Sequence, residues 1–147
     1  MIDKLLLLAI FGIAMAHFEG VVVVYLRKAL GMLDSESNKE SVEKFPRRYL
    51  NIEMTREAAT IIMLVVIAYL TGGSWIEKGV FFLWTFAFWD LFYYLSLYIL
   101  IKWPPTLTTI DVLFLIPKPW IAPVWLPVSI SGLTILVIAL LAILGII

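Results

Sequence analysis

Gly79 to Ile101 reads GVFFLWTFAFWDLFYYLSLYILI, and Asp90 is the one charge in those 23 residues. At 1.5 Å per residue the stretch is long enough to cross about 30 Å of hydrocarbon as a single helix. A carboxylate at the centre of such a helix costs on the order of 3 kcal/mol on insertion scales, so it marks a place where the chain does something.

Working outward, three more stretches meet the length requirement: Leu5 to Leu26, Met54 to Gly72 and Val124 to Ile147. The fold class expected is therefore an all-α integral membrane protein, a four-transmembrane-helix bundle forming one membrane domain over residues 1–147. Composition agrees. The chain is 63% hydrophobic with a mean hydropathy of +1.01, and a water-soluble domain this small cannot hide that much apolar surface. Eleven Lys plus Arg balance eleven Asp plus Glu, so no global field draws the chain to nucleic acid, and the partner expected first is the lipid bilayer. With no cysteine, thiolate chemistry, iron–sulfur clusters and disulfides are excluded, and His and carboxylates remain as the strong metal ligands.

Leu5 to Ala16, followed by His17, resembles a signal-peptide core ending in the small-x-small pattern Ala14-Met15-Ala16. The flank Met1 to Lys4 carries no net positive charge and the apolar run resumes at Val21, so an uncleaved helix is expected. Orientation follows from the loops. Arg27, Lys28, Lys39, Lys44, Arg47 and Arg48 lie in the connection 27–53, whereas 73–78 holds only Lys78. The excess of basic residues places the first loop in the cytoplasm and both termini outside an inner (cytoplasmic) membrane. Within that loop, Asp34 to Glu40 reads as a solvated linker, and Phe45-Pro46-Arg47-Arg48-Tyr49 as an interfacial lead-in to the second helix.

Six of the seven prolines fall between Pro104 and Pro127. Trp103-Pro104-Pro105 should stop the third helix, and Pro117-Lys118-Pro119 should stop whatever follows. The apolar run Ile110 to Ile116 between them is too short to cross, so the connection 102–123 is expected to lie on the interface or to enter part-way and turn back.

The polar residues inside the spans set the functional expectation. Counted from the basic residues at the cytoplasmic ends, Asp90 lies roughly 18 Å deep, His17 roughly 15 Å and Glu19 roughly 12 Å. Glu57 is about one turn inside. Glu53, Arg56, Glu57 and Thr60 fall on one helical stripe, and Tyr93 and Tyr94 stand one turn beyond Asp90. Gly12, Ala16 and Gly20 form a small-xxx-small groove for close packing on a neighbouring helix. His17 and Glu19 stand about 200° apart around their helix, so a regular helix cannot aim both at one point.

The expected function is an intramembrane His/carboxylate pocket in the cytoplasmic half that binds a metal ion or a proton-active cofactor. His17, Glu19, Glu57 and Asp90 are the candidate metal ligands, suited to iron, manganese or zinc. Arg56, Tyr94 and Asp111 are the candidate cofactor-binding groups, with Asp111 contributed from the proline-rich connection as a lid. Haem ranks lower, because a single His cannot supply two axial ligands. Two alternatives stand beside this reading: a proton or ion relay through the same groups, and an accessory subunit of a larger membrane complex whose polar network fixes helix packing. Self-association or partner membrane subunits are expected in either case. The fourth helix, free of charge, reads as wall rather than machinery.

Overall fold

The computed structural model describes residues 1–31 and 47–147. The expected linker at Asp34 to Glu40, together with Lys39 and Lys44, lies outside the described residues, as do Phe45 and Pro46 of the expected lead-in. The described elements run α1 (Ile2–Ala29), α2 (Arg47–Thr71), α3 (Trp75–Ile101), β1 (Ile110–Phe114), β2 (Trp120–Pro123) and α4 (Trp125–Ile143). All four helices are long and apolar enough to cross a membrane, as in a multi-pass membrane protein.

The helix starts differ from the sequence reading most at α2 and α3. α3 begins at Trp75 rather than Gly79 because Ser74 caps it: the Ser74 hydroxyl accepts from Glu77 N, and the Glu77 carboxylate in turn accepts from Gly73 N at 2.7 Å. That reciprocal arrangement satisfies amide donors that a helix start leaves orphaned. α2 begins at Arg47, so its first two turns, including Glu53, are helix where a loop was expected. The other end of α3 falls where the prolines dictate, with Lys102 in the left-handed conformation directly before Trp103-Pro104-Pro105.

α3 is the hub, packing against each of the other helices, and its largest interface is with α1. The glycines of α1 make that contact close. A Cβ on Gly12 would sit 2.9 Å from the Thr85 carbonyl oxygen, and one on Gly20 would sit 3.0 Å from Ser96 Cβ. Ala16 between them is fully buried, so the small-residue stripe faces α3 along its length. At one end of the bundle Leu5, Leu8, Ala68, Phe81, Trp84 and Ile138 pack together, and the buried Trp84 indole donates to the Leu5 carbonyl at 2.8 Å. At the other end Val23, Leu97, Trp103 and Val124 form a second cluster.

The proline-rich connection corrects the expectation of a purely helical fold. β1 and β2 form an antiparallel two-stranded hairpin, with Ile110 opposite Pro123, Asp111 opposite Ala122 and Val112 opposite Ile121. A bulge follows before Phe114 meets Trp120. Ile110 and Val112 are β-branched, which suits a strand, and Pro117 and Pro119 lie in the turn where no ladder donor is needed. The base of the hairpin is tied down by Val124 N to the Thr109 carbonyl at 2.9 Å and Trp125 N to the Leu107 carbonyl at 2.8 Å. Pro127 then falls in the first turn of α4, whose amide hydrogens have no intrahelical partner to lose.

Candidate functional site

α1, α2, α3 and β1 enclose a cleft of about 140 Å³ at the end of the bundle where α1 and α3 finish and α2 starts. Six of the seven candidate residues line it: Glu19, Arg56, Glu57, Asp90, Tyr94 and Asp111. His17 does not.

Glu19 is the centre of the polar wall. It is 3% exposed, accepts from the Arg56 guanidinium and from the Thr60 hydroxyl, and so joins α1 to α2. Arg56 also donates from Nε and Nη2 to Glu53 Oε2 at 3.0 and 2.8 Å. One guanidinium thus satisfies two carboxylates, which is the arrangement that makes buried charge tolerable. Thr60 stands one turn beyond Arg56 on the stripe read from the sequence, and it too is buried.

Glu57, next in sequence to Arg56, points to a different neighbour. Its two carboxylate oxygens accept the backbone N–H groups of Leu115 at 2.8 Å and Ile116 at 3.0 Å, immediately after β1. A helix side chain thereby takes up donors that the end of a strand would leave unpaired. Asp111, on β1 and 4% exposed, accepts from the Tyr94 hydroxyl at 2.9 Å. The hairpin therefore roofs the cleft, held by α2 on one side and by α3 on the other. Asp90 accepts from Ser131 of α4 at 2.7 Å, so the fourth helix, read as wall, contributes a buried hydroxyl to the strongest polar signal in the chain.

The expected metal centre is not assembled. Among the described residues no group of three or more His, Asp or Glu side chains is placed to hold a metal ion. The physical reason is that each candidate ligand faces its own partner: Glu19 faces Arg56 and Thr60, Glu57 the strand-end amides, and Asp90 Ser131. α1 stays a regular helix, so the angular separation of His17 and Glu19 sends them apart. His17 is exposed on another face, its Nδ1 3.3 Å from Ser96 Oγ.

Sequence reading missed three contributors. Ser131 was hidden in an uncharged helix, where a lone hydroxyl carries no signal. Trp89 lines the cleft, yet sits in an aromatic run that reads as packing. Arg27 was counted only as a topogenic charge. It is 6% exposed, lines the cleft, and stacks on the Trp103 ring with its guanidinium carbon 4.1 Å from the centroid.

No protein family, curated protein or solved structure matches the chain.

Proposed function

We propose that the chain is a small-molecule-binding protein of the inner membrane, both termini outside, whose cleft in the cytoplasmic half takes a ligand with a polar head and an apolar body. One observation carries this reading. A single cavity brings charged groups from α1, α2 and β1 together with Val23, Ile61, Leu113 and Phe114, so polar and apolar contacts are offered to one molecule. Its volume is well above the roughly 10–15 Å³ that one water needs. A relay has less behind it. Among the described residues the hydrogen bonds of Asp90, Glu57 and Glu19 run to separate partners and form no continuous chain.

The test is to purify the chain from membranes in neutral detergent and identify, by extraction and mass spectrometry, the organic molecules retained at one per chain. Ile61→Trp, which fills the cleft from α2, should abolish retention. Equal retention by this variant, or none by the wild type, would count against the proposal.

The accessory-subunit reading is supported by an observation of its own. Only 17% of the apolar window of α2 is buried, against 44% for α1 and α3, and Ile62, Met63, Val65, Val66, Tyr69 and Leu70 are all exposed. Either lipid or a partner helix covers that face. Native mass spectrometry showing a stable, lone monomer would remove the subunit reading.

A further inference from the structure

We infer that the head of the ligand is an oxyanion, a carboxylate or phosphodiester of single negative charge, and that Arg27 is the residue that receives it. This rests on the cleft being a ligand site, and it adds the chemistry of the ligand.

Every carboxylate around the cleft has a donor of the protein's own: Glu19 from Arg56 and Thr60, Glu53 from Arg56, Glu57 from two backbone amides, Asp90 from Ser131 and Asp111 from Tyr94. Arg56 donates from Nε, Nη1 and Nη2 to two of them. Arg27 differs. It is more than nine-tenths buried, and among the described residues its guanidinium makes no hydrogen bond or ion pair, only the contact with the Trp103 face. One further donor on the lining is without a partner, the buried indole N–H of Trp89.

A buried charge without a hydrogen-bonding counterpart is costly, so an unpaired guanidinium in a cleft has an acceptor to meet. The guanidinium carbon lies over the Trp103 face, and that contact uses none of its N–H groups, which stay available to a planar or tetrahedral oxyanion. A bland account of Arg27 exists: it lies in the last turn of α1, where a cation complements the helix dipole. Lys28, also in that turn and exposed, serves the dipole without leaving water, so the dipole does not explain the burial. The surrounding acids set the ligand's charge. With five carboxylates and two guanidiniums around the cleft, a doubly charged phosphate monoester meets more repulsion than a singly charged head. The apolar lining beside Arg27, Val23 and Leu26, suits the first methylenes of an acyl chain.

The test measures binding to the full chain in neutral maltoside micelles by native mass spectrometry, using dodecanoate, phosphatidylglycerol, acetate and, as the charge-reversed control, dodecyltrimethylammonium. Dodecanoate or phosphatidylglycerol should bind saturably at one per chain. Arg27→Gln should weaken that binding about 10- to 100-fold, Arg27→Lys should weaken it less, and neither should weaken binding of the ammonium probe. Acetate binding as tightly as dodecanoate would support a free anion as the ligand, and absence of acetate binding would support a membrane amphiphile. Anion binding that ignores Arg27→Gln would overturn the inference. If that variant does not fold, the wild type decides: an ammonium probe that binds in preference to both anionic amphiphiles, and is expelled by Ile61→Trp, overturns the oxyanion and leaves the cleft standing. Binding of no probe that responds to Ile61→Trp would remove both.

Discussion

Replacing Arg56 with methionine keeps most of the side chain's length and removes the donor that Glu19 and Glu53 share. Removing one partner of a buried ion pair costs about 3–5 kcal/mol, mainly because the other charge stays buried. The two carboxylates left behind are unequal: the Glu19 side chain is 4% exposed and that of Glu53 12%, so solvent offsets more of the loss on the Glu53 side. The expectation for Arg56→Met is therefore the lower end, about 3 kcal/mol. Glu19→Gln alone should cost about 1 kcal/mol, since Gln still accepts from Thr60 and Arg56 keeps Glu53. In the double variant no charge is stranded opposite α1. Its cost should fall at least about 2 kcal/mol below the sum of the singles, a coupling expected only for side chains in direct contact. Reversible unfolding in mixed micelles of rising dodecyl sulfate, followed by circular dichroism, gives each corner of the cycle. A cost for Arg56→Met under about 1 kcal/mol, or additivity within about 0.5 kcal/mol, would refute the claim that this pair joins α1 to α2.

Glu57→Ala should leave the Leu115 and Ile116 amides without an acceptor, costing about 1–3 kcal/mol, with faster hydrogen exchange at those two amides than elsewhere in the hairpin. Gly12→Val forces a side chain against the Thr85 carbonyl and should destabilise by about 1–3 kcal/mol, whereas a Cβ on Gly132 meets nothing within 4 Å, and Gly132→Ala should be neutral or better in the same unfolding assay. Because the chain has no cysteine, single substitutions report topology cleanly. An impermeant maleimide applied to intact cells should label Ser74→Cys and should label Thr106→Cys only after permeabilisation; the reverse pattern would invert the proposed orientation.

The helices were readable because each span is a long apolar run with few charges, a signal that survives without any knowledge of tertiary structure. The stripe Glu53, Arg56, Glu57, Thr60 was readable from the helical period, and so was the packing face Gly12, Ala16, Gly20. What the stripe could not reveal is that Arg56 and Glu57, adjacent in sequence, serve different neighbours, since that depends on where α1 and the hairpin come to lie. The hairpin itself left little trace. Ile110 to Ile116 is apolar almost throughout, so it has no alternation to distinguish strand from helix, and its partner Trp120–Pro123 is short and proline-bearing. Arg27 was misjudged for a different reason: a basic residue at the end of a span is expected on topological grounds alone, which conceals one that turns inward.

Arg56, Glu57 and Thr60 give α2 two separate lines of attachment around its circumference, one to α1 and one to the hairpin. A helix greasy over most of its girth is free to roll about its own axis, because one apolar face serves hydrocarbon as well as another. Two directional fastenings at different azimuths remove that freedom and key α2 to a single rotation. One of those fastenings, at Leu115 and Ile116, lies more than forty residues downstream of α2, so during synthesis the second helix enters the bilayer before its final azimuth can be locked.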